Sequence, residues 1–231
     1  MTTIASNLQA VRSSVLDATL AAGRHATEIN VLAVSKACSA DAVRAAFQCG
    51  QTRFAESYVQ EALNKMAGLA DLPIEWHFIG PIQSNKTRVI ASNFAWVHSL
   101  DRLKIAERLS EQRPANLPPL QVCLQINISG EESKHGISPD TTLTLAQAIA
   151  RLPNLRLRGL MAIPAPSTTP DAQPFAQLRI LRDQLNQHGL QLDTLSMGMS
   201  HDFTVAIAEG ATMLRIGTAI FGTRIYPEEI S

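Results

Sequence analysis

The chain has 231 residues, of which 45% are hydrophobic, and its 20 basic residues balance its 20 acidic residues. This length suits one large domain or two small ones, and the apolar content is enough for a core. The zero net charge and the lack of a long basic stretch argue against nucleic acid or an anionic membrane surface as the main partner.

The start of the chain lacks the basic lead and apolar core of a signal peptide, and no apolar run is long enough to cross a bilayer. Three cysteines, Cys38, Cys49 and Cys123, are too few and too scattered for a disulfide framework or a zinc site. We therefore expect reduced thiols, a cytoplasmic location and no bound metal.

The first predicted element is an amphipathic helix over residues 4–24, whose apolar residues recur at close to helical spacing. From Val31 onward, short apolar runs alternate with helical stretches. The predicted strands are 31–35, 53–55, 75–79, 96–99, 121–126, 155–162, 194–196 and 213–216. The predicted helices between them are 41–48, 58–69, 85–92, 102–111, 141–151, 175–188 and 202–209.

Strands that alternate with helices indicate parallel strands joined by right-handed crossovers. Eight strands without an N-terminal glycine-rich dinucleotide motif favour a closed (β/α)8 barrel over the alternative, an open doubly wound sheet. The loop-like segments 114–119 and 162–174 do not resemble interdomain linkers, because the alternation resumes after each. We expect one domain over residues 1–231, with an N-terminal helical extension at 1–30 and the barrel at 31–226.

Lys36 is the first candidate for chemistry, because it follows the first strand directly. Side chains alternate along a strand, so Leu32, Val34 and Lys36 share one face. If that face is the barrel interior, Lys36 lies at the C-terminal rim, where active sites of this fold are found. A lysine amine placed there can form a Schiff base with an aldehyde. The alternative is a solvent-exposed lysine that marks the end of a strand.

Two segments near the C-terminus suit a phosphate, and barrels of this class recurrently bind phosphate in the loops after strands seven and eight. Ser200 is predicted as the N-cap of a helix starting near Asp202, where it caps the helix or also binds phosphate. Gly217 allows close approach of the backbone, and Thr218 offers a hydroxyl group. A phosphate site together with an aldehyde-binding lysine suggests pyridoxal 5'-phosphate (PLP).

Arg215 is predicted to share a face of strand eight with Gly217. It either pairs with a buried carboxylate or donates to the pyridine nitrogen of PLP. An arginine does not give up its proton, so the ring nitrogen stays unprotonated and PLP is a weak electron sink. This leaves racemisation or simple carriage of PLP as the favoured options.

Weaker candidates lie on strands three and six. His77, within an apolar strand, is either a core histidine with satisfied hydrogen bonds or a catalytic group. Met161 can pack against a planar ring.

The chain resembles the pyridoxal phosphate homeostasis proteins (YggS/PROSC family), whose barrel is similar to the N-terminal domain of bacterial alanine racemase. The resemblance covers residues 31–226 and rests on several motifs in the same order. These motifs are AVSK at 33–36, WHFIGP at 76–81, QSNK at 83–86, QINI at 125–128, RGLMAIP at 158–164, SMGMS at 196–200 and RIGTAIFG at 215–222.

The resemblance implies that Lys36 forms the internal aldimine with PLP and that Arg215 faces the pyridine nitrogen. It also implies that Ser200, Gly217 and Thr218 hold the phosphate. Such proteins bind PLP, affect vitamin B6 and amino-acid balance, and have no established catalytic reaction.

One motif departs from the family pattern, in which Phe-Gly-Glu-Asn-Tyr follows the second strand. This chain reads FAESY at 54–58. Ser57 is shorter than asparagine, which puts a cofactor contact from this loop in doubt. Ala55 lacks the easy positive φ of glycine.

Three functions remain open from the sequence. The first is a PLP carrier or buffer with PLP-dependent apo-enzymes and free amino acids as candidate partners. The second is a single-barrel racemase or related PLP enzyme that uses His77, His201 or Tyr58 as acid or base. The third is an aldolase-like enzyme that uses Lys36. The chain ends soon after strand eight, without the second domain that supplies a racemase with its tyrosine base, so we expect a non-catalytic monomer.

Overall fold

The computed structural model describes residues 3–130, 135–165 and 171–223, and at its centre eight parallel strands close into a barrel. Each strand pairs with the next along the chain and the eighth pairs with the first, which confirms the closed (β/α)8 barrel over the open sheet. The strand bounds fall within one residue of the prediction. The strands are β1 (Asn30–Val34), β2 (Arg53–Glu56), β3 (Glu75–Phe78), β4 (Trp96–Leu100), β5 (Leu120–Gln125), β6 (Leu155–Met161), β7 (Thr194–Ser196) and β8 (Met213–Ile216).

Helices alternate with the strands and cover the outside of the barrel. They are α1 (Ile4–Ala21), α2 (Ala40–Gln48), α3 (Val59–Gly68), α4 (Thr87–Asn93), α5 (Leu103–Gln112), α6 (Thr142–Ile149), α7 (Gln173–Gln187), α8 (Phe203–Ala208) and α9 (Thr218–Phe221). Single turns of 3₁₀ helix lie at Ala26–Glu28, Ser84–Lys86 and Pro139–Thr141. The extra N-terminal helix is confirmed as α1. Helix α9 was not predicted, because four residues are too few to show a helical period.

Helix α1 begins at a capping box in which Thr3 accepts a hydrogen bond from the Ser6 amide at 3.2 Å. Its buried face, which includes Leu8 and Val11, packs against α2, α8 and α9. Asn7 Nδ2 donates to a carbonyl of α9 at 2.9 Å. Helix α1 therefore supports the segment that follows β8.

Alternation along the strands separates two apolar layers. The larger layer lies between the strands and the helices and includes Phe54 and Phe78. The smaller layer lies inside the barrel and consists of Leu32, Val34, Ala55, Trp96, Cys123, Met161 and Met213. The prediction that Leu32 and Val34 face the interior is consistent with this division.

Parts of two predicted segments lie outside the described residues, namely 166–170 of the loop 162–174 and the barrel end at 224–226. In the part of the chain that the structure describes, none of the helices has both the length and the apolar character needed to cross a membrane.

Candidate functional site

Three segments that the sequence assigns to a cofactor site lie at the C-terminal edge of the barrel. Lys36 is two residues beyond β1, Ser200 follows β7, and Gly217 and Thr218 follow β8. Strand β8 pairs with both β1 and β7, so the three loops are neighbours. The barrel topology therefore gathers the proposed amine and the proposed phosphate ligands on one side of its mouth.

The backbone on either side of Lys36 is fixed by charged side chains. The Ser35 carbonyl accepts from Lys65 Nζ at 2.6 Å, and the Ala37 amide donates to Glu61 Oε1 at 2.6 Å. Ala37 has a φ of 59°, in the left-handed region. Lys36 itself is half-buried, and its amine has no hydrogen-bond partner among the described residues. The peptide is thus held in place while the amine stays available to a ligand.

These charged groups form one compact cluster, the Lys65 cluster, which consists of Glu56, Glu61 and Lys65. Lys65 Nζ lies 2.8 Å from Glu56 Oε1 and 2.5 Å from Glu61 Oε1. The Ser35 hydroxyl also donates to Glu56 Oε1, at 2.6 Å. Since a buried charge depends on its partner, removing one member leaves the others uncompensated.

Glu56 is the most deeply buried member of the Lys65 cluster, with 0% of its surface exposed. Burial raises the pKa of Glu56, and the charge and hydrogen bond of Lys65 oppose that rise. Its second oxygen, Oε2, has no hydrogen-bond partner within the described segments. The carboxyl group is therefore held by one oxygen only, next to the wall that carries Lys36.

Arg215 lies in β8 and is 4% exposed. Its NH1 group donates to the Ser196 carbonyl at 2.5 Å and to the Ser196 hydroxyl at 2.9 Å, and NH2 donates to the Ala162 carbonyl at 2.7 Å. The alternative that this arginine pairs with a buried carboxylate is not met, because its hydrogen-bond partners among the described residues are Ser196 and Ala162. Burial lowers the pKa of Arg215 to about 10, and the charge of Asp202 opposes this fall.

Some N–H groups of the Arg215 guanidinium have no acceptor among the described residues. The guanidinium carries five N–H groups, and its three hydrogen bonds to the described residues leave the Nε–H without an acceptor. A donor without a protein partner can bind an acceptor on a ligand. An aromatic ring nitrogen, which accepts but does not donate, fits this requirement.

The phosphate candidates also lie together. The Thr218 hydroxyl donates to the Ser200 hydroxyl at 3.2 Å, and Gly217 immediately precedes α9. The prediction that Ser200 caps a helix is wrong, because α8 begins at Phe203 and its N-cap is Asp202. Ser200 is therefore not engaged in capping and presents its hydroxyl beside Thr218.

The three weaker candidates occupy different places. Met161, at the end of β6, is fully buried inside the barrel and lies opposite Ser196 of β7. Ser57 is half-buried just beyond β2. His77 is fully buried in the barrel, with its ring nitrogens 2.9 Å from His98 Nε2 and 2.9 Å from Glu75 Oε1. His77 therefore has both ring nitrogens occupied by protein partners.

The structure also describes the other residues that the sequence singled out. Ala55 lies within β2 and does not use the positive φ that glycine permits; among the described residues, Ala37 is the one non-glycine residue with a positive φ. His201 and Tyr58, the other acid–base candidates, are exposed.

Sequence reasoning missed the groups that support Lys36 and Arg215. The spacing of Glu61 and Lys65, four residues apart on α3, was a usable signal, since such pairs share a helix face. His98 and Ser196 gave a weaker signal as polar residues within apolar strands. The hydrogen bond between His98 and Ser196 forms only because the barrel is closed.

Comparison with known proteins gives consistent results. The chain matches the family described as "Alanine racemase, N-terminal domain" over residues 5–225. It is 60% identical to the "Pyridoxal phosphate homeostasis protein" of Pseudomonas aeruginosa, with 98% of each chain covered. It is 50% identical to the protein of the same name from Escherichia coli, covering 99% of this chain and 100% of that one.

A solved structure of similar fold is PipY of Synechococcus elongatus with PLP bound. It superposes with a TM-score of 0.82 at 36% sequence identity, covering 95% of this chain and 100% of that one.

Proposed function

We propose that this chain binds PLP and carries or buffers it. The premise is its family: the chain belongs to the alanine racemase N-terminal domain family and, within it, to the pyridoxal phosphate homeostasis proteins. In this role it contributes to vitamin B6 and amino-acid homeostasis without a catalytic reaction of its own. The PLP bound in the related PipY structure supports the choice of ligand.

The observation that carries the proposal is the convergence of three kinds of group at one edge of the barrel. The amine of Lys36 is assigned to the PLP aldehyde, and the Nε–H of Arg215 to the pyridine nitrogen. Ser200, Gly217 and Thr218 are assigned to the phosphate, since hydroxyl and amide groups donate to its oxygens. Met161 is assigned to packing against the ring, while Ser57 and His77 are weaker candidates for contact.

Covalent attachment uses the amine of Lys36. Its nitrogen would hold PLP through the aldehyde carbon, with the carbonyl oxygen released as water. PLP, when bound, supplies a ring that can withdraw electrons from an attached amino acid. Arg215 keeps its proton and would donate a hydrogen bond to the ring nitrogen, which would then stay unprotonated and make this withdrawal weak.

The positions of the candidate acid–base groups favour carriage over catalysis. Both ring nitrogens of His77 are engaged with Glu75 and His98. Proton transfer to a bound amino acid needs a group within hydrogen-bond reach of the substrate. A histidine that is fully buried and hydrogen-bonded at both ring nitrogens is a poor candidate for that role.

The first prediction tests attachment. The purified protein should show the visible absorption of an imine, borohydride should bleach it, and the reduced adduct should map to Lys36. Lys36→Ala should abolish that band and leave the unfolding midpoint close to wild type, since the side chain is half-buried and has no partner among the described residues.

Unchanged absorption in Lys36→Ala would refute the assignment of the linkage. A colourless wild-type protein that traps a keto-sugar phosphate would instead support the aldolase. Deuterium exchange at Cα of L-alanine or L-serine at enzymatic rates would overturn the non-catalytic carrier.

The organisation of the protein completes the proposal. We propose one domain that works as a monomer in the cytoplasm, where its three cysteines stay reduced. A single cooperative unfolding transition and the monomer mass in sedimentation are the expected results. Two separate transitions or a dimer mass would contradict these points.

A further inference from the structure

A line of polar groups crosses the interior of the barrel and ends at Arg215. His77, His98 and Ser196 are each 0% exposed, although they lie on three different strands. The Ser196 hydroxyl lies 2.8 Å from His98 Nδ1, and His98 Nε2 lies 2.9 Å from His77 Nδ1. Buried polar groups are unfavourable unless they are hydrogen-bonded, so the arrangement of these partners is strongly constrained.

The direction of each hydrogen bond follows from the two ends of the line. Arg215 can only donate, so the Ser196 hydroxyl accepts from NH1 at 2.9 Å, and with both histidines neutral the same hydroxyl donates to His98 Nδ1. His98 then carries its proton on Nε2 and donates to His77 Nδ1.

His77 in turn carries its proton on Nε2 and donates to Glu75 Oε1 at 2.9 Å. A carboxylate only accepts, so it ends the line at Glu75. The hydrogen bond from His77 lowers the pKa of Glu75, while burial lowers the pKa of His77 and holds that of His98 well below its usual value. Both histidines are therefore neutral, with the proton on Nε2.

The line of hydrogen bonds stabilises the buried positive charge of Arg215. This buried cation forms no ion pair with a described carboxylate: its hydrogen-bond partners, Ser196 and Ala162, are neutral, and the charge of Asp202 raises its pKa without a hydrogen bond. Four hydrogen bonds away, Glu75 carries the opposite charge. All four point their protons toward Glu75, so their dipoles stabilise the cation at one end and the anion at the other.

Glu75 is reached from the opposite end of the barrel. Its side chain is 40% exposed and lines a cavity of about 590 Å³ together with Arg53, Trp96 and Arg158. Arg53 Nε also donates to Glu75 Oε1, at 3.0 Å. A change of charge in this cavity therefore acts on the far end of the line.

We infer that Glu75, His77, His98 and Ser196 form a polarised hydrogen-bond chain that positions Arg215 and transmits the charge of Glu75 to it across the barrel. We call this set, with Arg215, the polar chain. Its members other than Arg215 are positioning residues. The consequence for PLP rests on the proposed function, whereas the proton arrangement does not, because it is a property of the protein alone.

The second prediction tests the proton arrangement by ¹⁵N NMR of the ligand-free protein at neutral pH. Both His77 and His98 should be neutral and protonated on Nε2, and Glu75→Gln should change the tautomer populations of His77 and the side-chain Nε resonance of Arg215. When titrated with PLP, the Glu75→Gln variant should bind about fivefold more weakly than wild type, the loss expected when a binding site loses about the free energy of one ordinary hydrogen bond. Its absorption band should also shift.

Glu28→Gln is the matched control. Glu28 lines the same cavity, is exposed to nearly the same extent at 42%, and pairs with Arg24 outside the polar chain. This variant loses the same charge but should leave the signals of Arg215 and the affinity for PLP at wild-type values. Because Glu75 is partly exposed, its variant is expected to fold, and His98→Gln is a second disruption from within the chain.

Different results test the polar chain and the proposed PLP binding. A charged histidine, a proton on Nδ1 of either ring, or equal effects of Glu75→Gln and Glu28→Gln on the Arg215 resonance would overturn the polar chain. A wild-type protein that binds no PLP would overturn the proposed function, while the NMR result would still decide the polar chain.

Discussion

The two sides of the barrel mouth hold their functional groups by different means. Next to Lys36, opposite charges meet directly in the Lys65 cluster, at 2.8 and 2.5 Å. Next to Arg215, the hydrogen-bond partners are neutral, the charge of Asp202 acts without a hydrogen bond, and the charge of Glu75 lies at the other end of the polar chain. One side is thus a local ion-pair network and the other a line of dipoles.

This difference has consequences for stability and for ligand binding. A buried ion pair is strongly destabilised when one partner is lost, because the other charge remains buried. A neutral hydrogen bond contributes about 1 kcal/mol, so loss of a link has a smaller effect on folding. The Lys65 cluster should therefore govern the stability of the fold, whereas the polar chain should govern the environment of the ligand.

The third prediction is the largest and concerns the Lys65 cluster. Lys65→Met removes the cation while Glu56 stays at 0% exposure, so the free energy of unfolding should fall by about 3–5 kcal/mol in urea denaturation. The double variant Lys65→Met with Glu56→Gln should recover part of this loss, because the fully buried carboxylate no longer leaves an uncompensated charge.

An exposed ion pair provides the control. Arg44 and Asp71 meet at 2.6 Å on the surface, where ion pairs contribute little. Asp71→Asn should leave the unfolding midpoint unchanged. If Lys65→Met behaves like Asp71→Asn, the Lys65 cluster does not hold the wall of the barrel.

The sequence was sufficient to predict the strands and to propose Lys36 and Arg215 as candidates for ligand contact. Apolar runs and alternation depend on neighbouring residues, so the strand bounds were predicted within one residue. Lys36 and Arg215 stand beside such runs, and their placement at the mouth follows from the fold.

The support behind these groups could not be predicted, because it depends on contacts between distant parts of the chain. His98 and Ser196 are 98 residues apart and meet only once the barrel closes. Glu61 and Lys65 have the spacing of an ordinary surface pair, and their burial is set by packing against β1 and β2. Local pattern shows which residues share a face, but not what covers that face.

The fourth prediction concerns acid and the two buried histidines. The pKa values of His77 and His98 are lowered, chiefly by burial, whereas unfolded histidine titrates at about 6.5. As the pH falls through 6.5, the unfolded chain therefore takes up protons that the folded chain does not. Stability should be fully present above about pH 6.5 and should decrease below it by up to about 1.4 kcal/mol per pH unit for each histidine.

Glu56 contributes to this pH dependence with the opposite sign. Its pKa is raised, so the folded protein takes up that proton first as the pH falls. Comparing His98→Gln with wild type in urea denaturation between about pH 7 and pH 5 cancels this contribution. The variant should show a shallower loss of stability, and an unchanged slope would mean that His98 is not held neutral.

The fifth prediction is the smallest and compares the backbone on the two sides of the mouth. Ala37, beside Lys36, has a φ of 59°, and Gly198, which precedes Ser200, has a φ of 89°. Ala37→Gly removes about 1 kcal/mol of left-handed strain but adds a similar entropy to the unfolded chain, so stability should change by less than about 0.5 kcal/mol.

Gly198→Ala is the reciprocal change and should not be neutral. Besides its positive φ, an added Cβ would lie 2.7 Å from the Ala206 Cβ, so the variant should lose about 1–3 kcal/mol. Because the Lys65 cluster holds both peptides around Lys36, Ala37→Gly should also keep the wild-type affinity for PLP. Weaker binding by Ala37→Gly at unchanged stability would show that the left-handed alanine, rather than the ion pairs, orients Lys36.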